Sequence, residues 1–168
     1  ASTYCGLKKN SKDDLVLIKF DKPSDIFSAF TKSKTPGAPV IWNKSIKKKG
    51  KVSAILINSG NANVFNGTKG TNAVKKIVQN LSKKIGIDEK EIYLASTGVI
   101  GEPLDPNKII KKIPLLLKNL SNNSKSWLKA ANAIRTTDTF PKVFSDKLRV
   151  NNSNIFINGI AKGSGMIA

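Results

Sequence analysis

The chain has 168 residues, of which 39% are hydrophobic and 24% charged, so its composition favours a folded globular domain over a disordered segment. One cysteine and no histidine exclude an internal disulfide, a cysteine-based zinc site, a histidine-ligated metal and a serine–histidine–aspartate triad within these residues. The formal net charge is +18, but only Arg135 and Arg149 of the 29 basic residues are arginine, whereas base recognition favours arginine and interleaved aromatic side chains.

Three strands, and a short helix or turn, are predicted in the first part of the chain. Residues 14–20, "DLVLIKF", and residues 25–31, "DIFSAFT", are rich in β-forming side chains, and Pro23 separates them. Residues 38–50 predict a short helix or turn that stops at a glycine. The apolar run "VSAILIN" at residues 52–58 has the length of a strand and predicts one that is buried on both faces.

The clearest helix ends before Gly86. Apolar residues recur every four positions from Ala73 to Ile85, while lysines occupy the other face. Gly86 is placed as the C-terminal stop of this helix. Residues 91–96, "EIYLAS", predict another short strand after it.

Two further helices are predicted in the second half. Asp105 and Pro106 have the residue types of an N-cap and a first helical position. This helix is expected to reach Lys112 before Pro114 interrupts it. Residues 124–135 predict another helix, because their apolar side chains share one side.

The chain is predicted to finish with a β-hairpin of residues 142–150 and 154–160, joined by the short turn "NNS". Strands that alternate with helices predict an α/β (α+β layered) fold with mixed sheets packed against helices. No internal repeat or linker divides the chain, so residues 1–168 are expected to form a single domain.

Four loops combine glycine with hydroxyl or amide side chains, each after a predicted element. Loops at strand ends often hold substrates, although each of these alone is explained as well by an ordinary turn. Exposed backbone N–H groups beside Gly98 could form an oxyanion hole, because such a hole needs donors without side-chain crowding. The loops are "NSGNAN" (58–63), "STGVIG" (96–101), "TTDTFPK" (136–142) and "KGSGM" (162–166).

Together with "APV", "AANAI" and "GIAKGSGMIA", these loops resemble the ornithine acetyltransferase family (glutamate N-acetyltransferase of arginine biosynthesis) from about Gly6 to the end of the chain. The resemblance implies the autoprocessed, N-terminal-nucleophile-like fold of the ornithine acetyltransferase and aminopeptidase superfamily. It also implies that the chain is the α chain of a precursor, which would be cut about four residues beyond Ala168. The β chain would then begin with the nucleophilic threonine.

The resemblance also implies a mechanism and a set of site residues. The threonine, activated by its own α-amine, would take the acetyl group of N-acetyl-L-ornithine and pass it to L-glutamate in a ping-pong reaction. Thr97 and Gly98 correspond to the family's oxyanion hole, and Thr136 and Lys162 to its substrate-contacting positions, with Thr137 an alternative to Thr136. The expected assembly has two α and two β chains, with no metal or cofactor. Whether acetyl-CoA is also a donor stays open.

Alternatives remain at this point. The same architecture could serve an amidohydrolase or aminopeptidase, with water as the acceptor, or the chain could be a lysine-rich nucleic-acid-binding module whose affinity falls steeply with salt. No apolar run approaches the roughly 20 residues that span a bilayer, so we expect no membrane partner. Because lysine dominates the basic residues, we expect no nucleic-acid partner. The single cysteine and the lack of a signal-peptide pattern favour a cytoplasmic protein. Cys5 is expected to be an incidental thiol near a mobile terminus, and Asp138 to order its loop rather than act as a general base.

Overall fold

The computed structural model describes residues 1–163, in which strands and helices alternate along most of the chain. The strands are β1 (Ser2–Thr3), β2 (Leu15–Asp25), β3 (Lys51–Asn61), β4 (Ile92–Val99), β5 (Lys142–Val150) and β6 (Ser153–Ala161). The helices are α1 (Ala38–Ile46), α2 (Gly67–Ile85), α3 (Pro106–Ile110), α4 (Ile113–Lys118) and α5 (Ser124–Ile134), with single 3-10 turns at Lys47–Lys49 and Glu89–Glu91. The predicted α/β class is confirmed.

A mixed four-stranded sheet forms the centre, with strand order β1-β2-β3-β4. The pairs β1–β2 and β2–β3 are antiparallel, whereas β3 and β4 are parallel and are joined by the crossover helix α2. Strands β5 and β6 form a separate antiparallel ribbon. The carboxyl ends of β3 and β4 therefore meet at one edge of the sheet.

One face of the sheet packs against α2, whose apolar stripe is buried as the four-residue spacing predicted. Ala73, Ile77 and Leu81 are each at most 4% exposed and contact Leu17 and other core side chains of β2, β3 and β4. Gly86 ends the helix with φ of 68°, and its N–H donates to the helix carbonyl of Ser82. Removing a fully buried leucine from such a core costs about 2–5 kcal/mol.

The opposite face of the sheet packs against α5. Successive residues of a strand point to opposite faces, so Val16 faces α5 while Leu17 faces α2. Val16 packs with Ala130, Ala133 and Ile134 of α5, whose small alanines allow the helix to approach closely. Ile160 of β6 joins the same cluster. Helix α5 thus connects the sheet to the ribbon.

Two details of the prediction were wrong. Strand β2 runs through Pro23 and ends at Asp25, and residues 26–31 form no strand. The pairing of β2 with β3 shifts register between Lys19 and Ser24, and such an irregularity accommodates a proline that cannot donate a hydrogen bond. Pro114 lies in the first turn of α4, where its missing N–H costs nothing, so it begins a helix instead of interrupting one.

The predicted hairpin is confirmed, and it is exposed on both faces. Its turn is the pair Asn151–Asn152, whose φ values of 46° and 62° match the left-handed backbone of a type I′ turn. Phe144 and Phe156 are 60% and 68% exposed. A two-stranded ribbon is marginally stable alone, so these side chains leave an apolar surface uncovered by the rest of the described chain.

Candidate active site

The predicted oxyanion-hole residues lie where β3 and β4 end. Asn58 pairs with Ser96, Ser59 with Thr97 and Gly60 with Gly98. The first four residues of "NSGNAN" and of "STGVIG" are therefore strand, and the loops begin later than the sequence suggested. In α/β proteins the carboxyl ends of parallel strands are the usual position of a binding site.

Gly98 and Gly60 make an unusually close backbone contact. Gly98 has φ of 130°, and a Cβ added there would lie 2.3 Å from the carbonyl carbon of Gly60. Gly60 has φ of 102°, and a Cβ added there would lie 2.7 Å from the carbonyl of Leu7. Neither position can accept a side chain without moving backbone. The two glycines therefore let the backbones of β3 and β4 approach each other with no side chain between them.

Buried asparagines hold this strand end together. Ser96 Oγ donates to Asn58 Oδ1 at 2.5 Å, and Asn58 Nδ2 donates to the Asn61 carbonyl at 2.8 Å. Asn61 Nδ2 donates to the Glu102 carbonyl at 2.9 Å, while its Oδ1 accepts from the Asn63 N–H at 2.8 Å. An unpaired buried amide would cost about 1–3 kcal/mol, so this network favours one arrangement of the two strand ends.

The strand end is also tied to the carboxyl end of α5. Ser59, the register partner of Thr97, donates its hydroxyl to the Ala133 carbonyl, and Lys8 Nζ donates to the same carbonyl at 2.8 Å. Ala133 lies in the last turn of α5, directly before the loop that carries Thr136. The loop therefore starts from a fixed point beside β3.

The loop with Thr136 contacts the segment with Lys162. Asp138 Oδ1 accepts from the Gly163 N–H and from Lys142 Nζ, both at 2.6 Å. Lys162 is half-buried, and its Nζ donates to the Gly163 carbonyl at 2.7 Å. An ammonium has three donors, and this contact uses one of them. The two predicted substrate-contacting segments are thus adjacent.

A family model described as the ArgJ family matches residues 1–168. The chain belongs to the ArgJ family. It is 41% identical over 168 residues to the arginine biosynthesis bifunctional protein ArgJ of Rhizobium meliloti (strain 1021), and 42% identical to that of Agrobacterium fabrum (strain C58 / ATCC 33970). Both alignments cover 100% of this chain, which spans 40% of the length of these relatives.

Two solved structures share the fold. The crystal structure of the arginine biosynthesis bifunctional protein ArgJ from Bacillus halodurans superposes with a TM-score of 0.90 at 29% identity, over 100% of this chain and 87% of that one. Ornithine acetyltransferase from Mycobacterium tuberculosis, crystallised with ornithine, gives a TM-score of 0.89 at 26% identity, over 100% and 89% of the two chains. The resemblance drawn from the loop motifs is confirmed.

The surroundings of Asp138 and Cys5 in this ArgJ chain shift their pKa values in opposite directions. Hydrogen bonds from Lys142 and then Gly163 hold the pKa of Asp138 well below its usual range. Burial, and then the Asp14 carboxylate, raise the pKa of the Cys5 thiol, so that it stays protonated and unreactive. Cys5 is only 6% exposed and its N–H donates to Asp14. The prediction that Cys5 lies near a mobile terminus was therefore wrong.

Asp14 is a structural contributor that the sequence did not reveal. Its fully buried carboxylate accepts the backbone N–H groups of Cys5, Leu7 and Lys8 at 2.6–2.9 Å. These bonds place Leu7 against Gly60. In the sequence, Asp14 follows another aspartate and precedes a strand, a pattern equally typical of a solvated charge.

A cavity of about 810 Å³ lies elsewhere, between β2, α5 and β6. Phe20, Trp127 and Ile160 are among its lining residues, and none of the predicted site residues lines it. Within residues 1–163, no group of three or more His, Cys, Asp or Glu is placed to hold a metal ion. Over the same residues, no helix has the length and apolarity needed to cross a membrane.

Part of the fourth motif and the expected scission point lie outside the described residues, since "KGSGM" continues beyond Gly163.

Proposed function

We propose that this chain is the α chain of a glutamate N-acetyltransferase, which transfers an acetyl group from N-acetyl-L-ornithine to L-glutamate in arginine biosynthesis. Membership of the ArgJ family supports the reaction class. The observation that carries the proposal is the side-chain-free contact of Gly98 with Gly60 at the carboxyl ends of two parallel strands. A backbone anion site suits acyl transfer, in which a carbonyl oxygen becomes negatively charged.

The proposed α-chain role is supported by the lengths of the related proteins. This chain covers 40% of the curated relatives but 87% and 89% of the two crystallised chains. Those crystallised chains are therefore much shorter than the curated relatives, as a cut precursor would produce. In the proposed enzyme a β chain supplies the nucleophilic threonine, and two copies of each chain assemble in the cytoplasm.

In the proposed reaction, the threonine hydroxyl attacks the acetyl carbonyl while the α-amine of the same residue accepts the proton. No histidine is needed. The carbonyl oxygen becomes an oxyanion, which the Thr97 hydroxyl and the Gly98 N–H stabilise. Ornithine leaves with a proton on its amine, and an acetyl ester remains on the threonine. The amine of glutamate then attacks that ester through a second oxyanion. The threonine oxygen leaves and regains a proton as the amine loses one, which releases N-acetylglutamate.

Thr136 and Lys162 are proposed to bind the substrates. N-acetylornithine and glutamate both carry an α-carboxylate, which an ammonium recognises through a charge-assisted hydrogen bond. Lys162 is half-buried and carries donors beyond the one used at Gly163. The half-buried Thr136 lies in the loop that contacts Gly163 through Asp138.

The direct test expresses the protein from its complete gene and combines intact mass with an acetyl-transfer assay. The proposal predicts two co-purifying chains, one of which begins with threonine, and transfer from N-acetylornithine to glutamate. Acetate release without glutamate would indicate a hydrolase instead. A single uncut chain without transfer activity would contradict the proposal. The same assay with acetyl-CoA in place of N-acetylornithine would show whether acetyl-CoA is also a donor.

Replacing Lys162 with methionine is expected to lower kcat/KM for N-acetylornithine by about 10- to 150-fold. The loss of a hydrogen bond to a charged group costs about 1.5–3 kcal/mol, and 1.36 kcal/mol is tenfold in rate. Steady-state kinetics on processed enzyme measures the effect. Lys48→Met and Lys83→Met are matched controls on exposed positions and should stay within about twofold, since surface charges contribute little. Equal kinetics for all three variants would remove Lys162 from the site.

The chain of residues 1–168 expressed alone is expected to aggregate or to unfold without a sharp transition. Phe144, Phe156 and neighbouring apolar side chains of the β5–β6 ribbon are exposed, and such a patch favours association. Sedimentation and thermal melting compare the lone chain with the co-expressed assembly. A monomer with a sharp, reversible transition would contradict the proposed dependence on a partner chain.

A further inference from the structure

Asp138 joins the two segments that carry the proposed substrate-binding residues. Its side chain is only 3% exposed, although it is charged. Oδ1 accepts from the Gly163 N–H, which directly follows Lys162, and from Lys142 Nζ, each at 2.6 Å. One carboxylate oxygen thus holds the end of β6 against the loop that begins at Thr136.

Burying the Asp138 carboxylate costs desolvation free energy, which hydrogen bonds must offset. Oδ2 of Asp138 is buried and has no hydrogen-bond partner among the described residues. Buried polar atoms are rarely unpartnered, and the desolvation of a carboxylate is costly. The Lys142 ammonium and the Gly163 N–H stabilise the buried carboxylate, and the second of these contacts fixes the backbone beside Lys162.

The salt bridge of Asp138 also determines which nearby lysine ammonium is available to a ligand. Lys142 is bound to Asp138 in a salt bridge, and its Nζ lies 4.7 Å from the centre of the Phe140 ring. Among residues 1–163, Lys162 donates only to the neutral Gly163 carbonyl and forms no salt bridge. Asp138 thus neutralises one ammonium and leaves the positive charge of the other for an anionic ligand.

We infer that Asp138 is a positioning residue, which fixes the Gly163 peptide so that Lys162 presents its ammonium to the substrate carboxylate. This inference rests on the proposed function. A displaced backbone would move the Lys162 side chain by ångströms, and misplacement on this scale costs up to about 100-fold in rate.

A role for Asp138 as general base does not fit its surroundings. A general base works best when its pKa lies near the operating pH, whereas Lys142 and Gly163 hold the pKa of Asp138 far below it. Positioning and base catalysis also predict different kinetics. Loss of a carboxylate-binding contact raises KM, while loss of a base lowers kcat.

The test compares Asp138→Ala with Asp138→Asn in the enzyme expressed from its complete gene. Alanine removes the acceptor for the Gly163 N–H, whereas asparagine keeps an oxygen there and removes only the charge. We expect alanine to raise KM for N-acetylornithine about 10- to 100-fold with a smaller fall in kcat, and asparagine to change KM less than about fivefold. Asp146→Ala is the matched control, because Asp146 is exposed on β5 and, within the described part of the chain, accepts only from the N–H of Lys147.

Hydrogen exchange of the Gly163 amide supplies a readout that is independent of activity. Exchange should accelerate in Asp138→Ala and stay near the wild-type rate in Asp138→Asn and Asp146→Ala. Unchanged exchange or unchanged KM in Asp138→Ala overturns the inference, as does an equal loss of kcat in the alanine and asparagine variants. Absence of acetyl transfer by the wild type overturns the proposed function instead, and the exchange rates then decide whether Asp138 fixes Gly163.

Discussion

Replacing Gly98 with alanine is expected to lower the free energy of unfolding by roughly 2–6 kcal/mol, the sum of steric overpacking and an unfavourable positive φ, each of about 1–3 kcal/mol. The added Cβ would lie 2.3 Å from the carbonyl carbon of Gly60 and 2.6 Å from the nitrogen of Asn61. Both atoms are backbone, so no side chain can rotate away. The paired strands β3 and β4 would have to separate. Denaturant unfolding of the complete protein measures the effect.

Gly101→Ala is the matched control for this substitution. Gly101 also has a positive φ, of 84°, and follows the same strand, but a Cβ there would meet nothing within 4 Å. Gly101→Ala should therefore lower the free energy of unfolding only through the unfavourable positive φ, by about 1–3 kcal/mol. The difference between the two variants isolates the contact of Gly98 with Gly60. Equal destabilisation of both variants would show that this close approach is not needed by the fold.

Replacing Thr97 with alanine is expected to lower kcat for acetyl transfer by roughly 10²–10³-fold, as the loss of one oxyanion-hole donor does in other enzymes. KM for N-acetylornithine should change little, because this contact strengthens only in the transition state. Thr97 lies in β4 as the register partner of Ser59, which is anchored at Ala133. The strand should therefore keep its position when the side chain is shortened.

The measurement for Thr97 is steady-state kinetics on enzyme whose processing is complete, since the same hole could serve self-cleavage. Thr68→Ala provides the comparison, because Thr68 is exposed at the start of α2. That variant should retain wild-type turnover. Wild-type turnover in processed Thr97→Ala enzyme would show that the side chain contributes nothing, and would leave only the backbone N–H groups as donors.

The sequence predicts correctly those helices and strands whose apolar pattern matches the faces that are buried in the fold. The four-residue repeat of α2 is buried as expected because the core lies on one side of that helix. The apolar run at residues 52–58 became β3, which is covered by α2 on one face and α5 on the other. The two prolines show the limit of this reasoning. The sequence predicts that Pro23 separates two strands and that Pro114 interrupts a helix. Instead, a register shift accommodates Pro23 within β2, and Pro114 lies in the first turn of α4.

The site was predictable through its motifs but not through its contacts. Gly98 was a candidate because glycine leaves nearby backbone N–H groups uncrowded by a side chain, yet its contact with Gly60 could be identified only once β3 and β4 were paired. The burial of Asp14 and Asp138 has no sequence signature, because a buried and a solvated aspartate look alike along the chain, although the motif did predict that Asp138 orders its loop. What distinguishes them is a set of backbone N–H donors from distant residues.

The exposed apolar ribbon bears on the order of events during biosynthesis. If this chain is cut from a longer precursor as proposed, its partner segment is covalently attached while the ribbon forms. Tethering of this kind gives an effective concentration on the order of millimolar. Phe144 and Phe156 would then be covered by an intramolecular step before any encounter with another molecule. Cleavage that follows folding thus separates two chains that have already found each other, whereas two separately synthesised chains would depend on their dilution.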